Sequence, residues 1–354
     1  MWDSGTAVTV AMVTTAFTEV AISTMMKAAM ERGMSQFVYI AYSNALALFF
    51  LFPSSYFFYR KRPRPRLTLR IFSKILLMGT LSCCVQTFMN TGIKLSSPTM
   101  SAAMTDLTPA FTFVLAVISR MERLECRLQS SQAKSIGTTI SVVGALIVTF
   151  YKGLPLTSLP AHSSTLNDLP ATPNWAAGGI FCAAGAWCLS SLYVVQTWIL
   201  KEFPSELMMT SISISFVTLF SSIIGVIAVN DVNAWILKPD IELLAIICSA
   251  IFAVAIRNVV HTWACHIKGP LYTAMFNPLG MIIATLLGVS FLGDTLYIGC
   301  IIGGTIIAVG FYTVLWGKSQ EDKMIEIEDE NYSIYDQSPS SPKVPLLQNK
   351  KLDV

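Results

Sequence analysis

The chain has 354 residues, of which 53% are hydrophobic and 13% charged, and its mean hydropathy is +0.60. Soluble domains carry about 25% charge, so the composition excludes a single soluble globule, and disordered, collagen-like and disulfide-scaffold chains with it. A net charge of +3 does not indicate nucleic acid, and it is uneven: 19 basic and 13 acidic residues up to Trp316, then 5 and 8.

In chain order, ten apolar runs are long enough to cross about 30 Å of hydrocarbon. The first, Thr6–Met30, carries Glu19 at its centre, with Ser23 and Lys27 on the same helical face. It does not read as a signal peptide, since Asp3 precedes it and the run is too long. Phe37–Tyr59 follows, then the basic stretch RKRPRPRLTLR. Ile71–Ile93 holds Gln86 and Asn90 on one face, and Thr99–Ile118 holds Asp106 and Pro109. After Ala133–Tyr151 comes a linker, 153–173, rich in Pro, Ser and Thr. Asn174–Thr197 contains Trp187, Leu207–Val229 is plainly apolar, and Ile241–His261 carries Arg257 and His261 one turn apart. Leu271–Leu292 contains Asn277 and Pro278, and Leu296–Trp316 ends the series. Beyond it, 318–354 is acidic and Ser/Pro-rich, and reads as a disordered tail. Its Ser338-Pro339, Ser341-Pro342 and Leu346-Leu347 are weak modification and sorting patterns.

Loops on one side of these spans hold twelve basic residues and the opposite loops four. The positive-inside rule then predicts both termini in the cytoplasm. With no decisive sorting signal, the plasma membrane is expected and a vacuolar membrane is the alternative.

Sliding the chain by about 170 residues gives ordered matches. Gly33-Met34-Ser35 falls on Phe203-Pro204-Ser205, Ser97-Pro98 near Gly269-Pro270, and Ala103-Met104 on Ala274-Met275. Asp106 falls on Asn277 with Pro109 and Pro278 in the next turn, Glu122 on Asp294, and Gly137 and Gly144 on Gly303 and Gly310. The chain divides into a five-span unit over 1–152 and a second over 174–317. Five is odd, so the second unit must cross in the opposite sense. The predicted fold is an all-α polytopic membrane protein, ten transmembrane helices forming two inverted five-helix repeats. Many secondary transporters use that symmetry to alternate access to a midplane site.

Charge inside a bilayer is costly and faces a cavity or a partner. Glu19 reads either as a proton carrier in a polar stripe with Ser23 and Lys27, or as one half of an internal ion pair. Lys27 lies nearer the outer end, where it can instead snorkel. Asp106 is a second proton-coupling candidate. Asp106 and Asn277, each followed by a proline that frees a backbone carbonyl, suit a broken-helix site; a kink for packing is the competing account. Arg257 suits a substrate carboxylate or a snorkelling position, with His261 beside it. Gln86 and Asn90 can bond substrate or a neighbouring helix, and Trp187 suits a gate or packing. No cysteine pair or Cys/His cluster has metal-ligand spacing, so no metal or cofactor is implied. An enzyme is not indicated either: there is no Ser/His/Asp or HExxH set, and neither Asp106 nor Asp294 sits in a paired intramembrane-protease motif.

Lys27-Ala28-Ala29 with Gly33-Met34-Ser35, SSPTMSAAMTDLTPAFTF (96–113), RMERL (120–124), KGPLYTAMFNPLG (268–280) and LGDTLYIG (292–299) resemble the plant drug/metabolite transporters. Within these they are most similar to the nodulin-21-like, "walls are thin"-related group, also called usually-multiple-acids-move-in-and-out transporters. The resemblance implies two EamA-type domains that move amino acids, auxin-like acids or related metabolites. It also implies that Lys27, Gln86, the Asp106–Pro109 turn and Asn277-Pro278 lie near the cavity. The chain departs from relatives at Tyr42-Ser43, where Tyr-Arg is common, at Asp106, where Asn is common, and near His261, where Gln is common. The expected function is export of a small polar metabolite, foremost an amino acid, with protons as a possible coupling ion and the lipid bilayer as surroundings. The other readings are organic-acid transport and a non-transporting sensor with the same fold.

Overall fold

The structure is a computed structural model that describes residues 4–60, 67–95, 101, 104–122, 128–151, 175–229, 235–237, 241–287 and 298–336. The helices are α1 (Ser4–Glu31), α2 (Gln36–Tyr59), α3 (Leu69–Leu95), α4 (Thr108–Ile118), α5 (Gln129–Phe150), α6 (Trp175–Glu202) and α7 (Glu206–Ala228). They continue with α8 (Ile241–Cys248), a π-helical segment π1 (Ser249–Ile256), α9 (Arg257–Ile267), α10 (Pro270–Ala274), α11 (Phe276–Leu287) and α12 (Ile298–Asp336). No strand occurs among the described residues, as expected where the solvent is hydrocarbon and each backbone group must be satisfied within its own segment.

Seven helical stretches are long and apolar enough to cross a membrane: α1, α2, α3, α6, α7, the continuous α8–π1–α9 run, and α12. Their large apolar side chains face outward, Phe49 being 75% and Leu69 83% exposed, as suits a surface solvated by lipid. The protein is an integral membrane protein. Of the other three runs in the ten-span reading, the fifth forms α5, whose first turns Gln129-Ser130-Ser131-Gln132-Ala133-Lys134 are polar.

The fourth and ninth runs, where Pro109 and Pro278 suggested broken helices, are interrupted. The fourth is helical at Thr105, turns at Asp106-Leu107 and restarts as α4; the ninth stops at Ala274, turns at Met275 and restarts as α11. Thr105 and Ala274 each lie four residues before a proline, Pro109 and Pro278. A proline ring clashes with the carbonyl of residue i−4 and has no N–H to bond it, so each break sits where its proline demands.

The disordered reading of the tail from residue 318 also needs correction, because α12 runs on to Asp336. Lys318 and Glu321 in this extension belong to a charge cluster with Glu122 and Lys134, which holds its first turn. The stretch beyond, rich in Glu, Lys and Met, has good helix formers. Residues 337–354, the linker, the basic loop 61–66 and Asp294 lie outside the described residues.

α5 and α12 make the most extensive helix contact. Glycines permit it: a Cβ on Gly137 would lie 2.8 Å from the Gly310 carbonyl oxygen, and one on Gly303 2.6 Å from that of Gly144. Small residues let membrane helices approach to backbone contact. Elsewhere α3 packs on α6, α2 on α7, and α1 against α8–α9 and α11.

Candidate functional site

Two of the cavities among the helices hold the expected site residues. The larger, about 470 Å³, is lined on α1 by Met12, Ala16, Glu19, Val20 and Ser23 and on α11 by Phe276, Asn277, Gly280 and Met281. Ser101, Thr105 and Asp106, at the break before α4, close it. Its size falls in the range of ligand sites, about 300–1,000 Å³. Asp106 is 3% exposed, and its Oδ2 makes no hydrogen bond within the protein. The proline-induced turn places this carboxyl at the cavity wall. The Asn277 Nδ2 is likewise buried and unpartnered. A polar group in that state is costly unless something else bonds it.

The smaller cavity, about 140 Å³, is lined by residues of α2, α3, α6, α7, π1 and α9, among them Asn44, Gln86, Tyr193, Arg257 and His261. Gln86 Oε1 and the Tyr193 hydroxyl make no hydrogen bond within the protein. On its other polar side, Gln196 Nε2 donates to Thr262 Oγ1, which lies 3.1 Å from Thr210 Oγ1 and donates to the Asn258 carbonyl at 2.6 Å. These groups satisfy one another, so that wall is rigid.

His261 lines both cavities, with its ring 6.1 Å from that of Tyr193. Arg257, one turn earlier, lines the smaller cavity, and its Nε lies 3.1 Å from Oε2 of Glu19, which lines the larger. This ion pair and His261 stand between the two spaces. The Arg257 position depends on π1: its N–H bonds the Phe252 carbonyl, five residues back. Such π turns recur at functional sites.

The expected site residues divide accordingly. The structure brings together Glu19, Ser23, Asp106, Asn277, Arg257, His261 and Gln86 around the two cavities. Pro109 and Pro278 line neither and act through the backbone. Asn90 accepts a hydrogen bond from Gln36 Nε2, a helix-to-helix contact, and Trp187 packs edge-on against Phe111 with centroids 5.4 Å apart. Lys27 falls in α1, and its side chain lies outside the described residues. Tyr193, Asn44 and π1 were not singled out from sequence. Tyr193 is an aromatic in an aromatic-rich span, and an i→i+5 register leaves no periodic mark in so apolar a run. Among the described residues no group of three or more His, Cys, Asp or Glu is placed to hold a metal.

The EamA-like transporter family model matches residues 7–150. A WAT1-related protein of Arabidopsis thaliana is 44% identical over 94% of this chain and 93% of its own length. The chain belongs to the WAT1-related, EamA-like transporter family. Two more Arabidopsis thaliana WAT1-related proteins are 39% identical over 85% of the chain and 83% of their counterpart, and 37% over 96% and 95%. A solved crystal structure with 14% identity has a TM-score of 0.66 over 89% of this chain and 99% of its own; at that identity the likeness concerns the fold alone. WAT1-related proteins are transporters, not enzymes, and the cavities of this one are where a small-molecule substrate has room.

Proposed function

We propose that this protein exports a small polar metabolite, foremost an amino acid, across the plasma membrane by alternating access, with both termini in the cytoplasm and a proton as the coupling ion. The observation that carries this reading is the meeting of two cavities at Arg257 and His261, with Asp106 Oδ2 and Asn277 Nδ2 unpartnered beside helices broken inside the membrane. Broken helices of this kind present backbone and side-chain polar groups to substrates at membrane depth.

The helix contacts support two inverted five-span units. Numbering the runs one to ten, three packs on six as eight packs on one, four on six as nine on one, and three on seven as eight on two. Two against seven and five against ten are self-paired under the same exchange. The contact of Gly137 with Gly310 becomes that of Gly303 with Gly144. An arrangement that maps onto itself has two states of similar energy, one open to each side.

The proposed cytoplasmic ends are tied in this structure. Lys74 Nζ reaches Glu202 Oε1 at 2.6 Å, His266 Nδ1 lies 2.5 Å from Glu206 Oε1, and Lys134 pairs with Glu122 and Glu321. Thr9 and Tyr272 share a 2.8 Å hydrogen bond above the Val8, Met12 and Phe276 cluster. In this reading these contacts form the gate at the cytoplasmic side. Efflux of a labelled amino-acid panel from preloaded oocytes tests the reading. Selective efflux above water-injected controls is expected; a surface-expressed protein that moves none of the panel contradicts the amino-acid assignment.

A further inference from the structure

Arg257 and Glu19 belong to different cavities, yet they form one ion pair. The side chains are 29% and 43% exposed respectively, so both face open space as well as each other. Nε and Oε2 are 3.1 Å apart, but Nε is not aligned to donate a hydrogen bond. The pair is therefore held chiefly by charge, and Nε does not take part in the two parallel N–H···O bonds that a guanidinium makes to a well-placed carboxylate. A freely oriented carboxylate in the place of Glu19 would gain those bonds.

We infer that Glu19 is an internal stand-in for the substrate's carboxylate: a carboxylate-bearing substrate takes the Arg257 guanidinium from Glu19, and the exchange opens the partition between the two cavities. This inference rests on the transport reading and names its substrate class. It explains why an acid sits on α1 opposite a base on α9 in the middle of the membrane, where an idle pair is costly. The pair is a lock that only a competing anion opens, so the passage between cavities forms with substrate and not without it. A released Glu19 then faces Asp106 across the larger cavity, with Ser23 on its own helix and His261 at the boundary, and is free to take a proton.

The test is binding to purified full-length protein in nanodiscs, read as thermal stabilisation. Amino acids are compared with their carboxyl-lacking amines, phenylalanine with phenethylamine and leucine with isopentylamine, and acetate and benzoate serve as bare carboxylate probes. Glu19→Gln removes the internal competitor and should tighten carboxylate ligands about tenfold, with the amines unchanged, as the loss of about 1.4 kcal/mol of competition dictates. Arg257→Lys, which keeps the charge but not the fork, should weaken the same ligands at least tenfold. If Glu19→Gln leaves carboxylate affinity unchanged or lowers it, the inference is overturned. It is also overturned if neither wild type nor Glu19→Gln binds any carboxylate probe. Efflux confined to compounds without a carboxylate would sink this inference while leaving the transport reading intact.

Discussion

Among single residues, those that matter most are the ones whose polar atoms are left without partners. Asp106 is buried at a helix break with one oxygen unbonded, so it is costly to the fold and useful to a ligand. Asp106→Ala should reduce efflux at least tenfold at matched surface expression, while Asp106→Asn, which keeps the shape and an acceptor, should retain part of it. Equal efflux in wild type and Asp106→Ala would place Asp106 outside the path. Glu19 is the second test. Its titratable neighbours across the site are Arg257, His261 and Asp106, and the proton-coupling reading requires that its own carboxyl change charge during transport. Glu19→Gln should flatten the dependence of flux on external pH; a variant with the wild-type pH profile removes Glu19 from coupling.

At the scale of elements, two contacts are decisive. On α12, a Cβ at Gly310 would lie 2.6 Å from the Ser141 backbone nitrogen, whereas one at Gly179 meets nothing within 4 Å. Gly310→Val should destabilise the protein by about 2 kcal/mol or more, the cost of overpacking against an unyielding backbone. Gly179→Ala should be neutral or slightly stabilising; equal melting of the two variants in detergent would contradict the packing account. Lys134 is 2% exposed and pairs with the equally buried Glu122. Lys134→Met leaves that buried carboxylate only Lys318, 3.9 Å away, and should cost about 3 kcal/mol, and pairing it with Glu122→Gln should recover much of the loss. A double variant no more stable than Lys134→Met alone would show that the charge pair is not what holds the ends of α4 and α5.

These elements also show what the sequence made legible. The apolar runs located most of the helices, because length and hydropathy are decided locally. Pro109 and Pro278 marked the two breaks for the same reason. The spacing of Glu19 and Ser23 placed both on the larger cavity. What stayed hidden was whatever depends on a partner far along the chain: Arg257 offered snorkelling or substrate as its roles, and only the fold brings Glu19 to it. Asn90 and Trp187 read as either site or packing residues, and in the fold Asn90 bonds Gln36 and Trp187 lies against Phe111, since the same chemistry serves both uses. The first turn of the α12 extension is held by Lys134 and Glu122 across the fold, which composition does not reveal.

At the scale of the whole molecule, one set of helices has to serve two states. Glycine-lined backbone contact between α5 and α12 forms a stiff base, and the ion pairs at the proposed cytoplasmic ends form a releasable seal. The cavities lie between, separated by a charge pair and an imidazole. In this account substrate binding weakens the separation and the seal opens afterwards, so the site faces one side at a time. The most direct measurement is counterflow in proteoliposomes of the purified protein, loaded with an unlabelled amino acid and diluted into a trace of the same compound labelled. The account predicts transient accumulation of label above equilibrium by wild type, lost in Asp106→Ala. Wild-type vesicles in which no member of an amino-acid panel accumulates would contradict it.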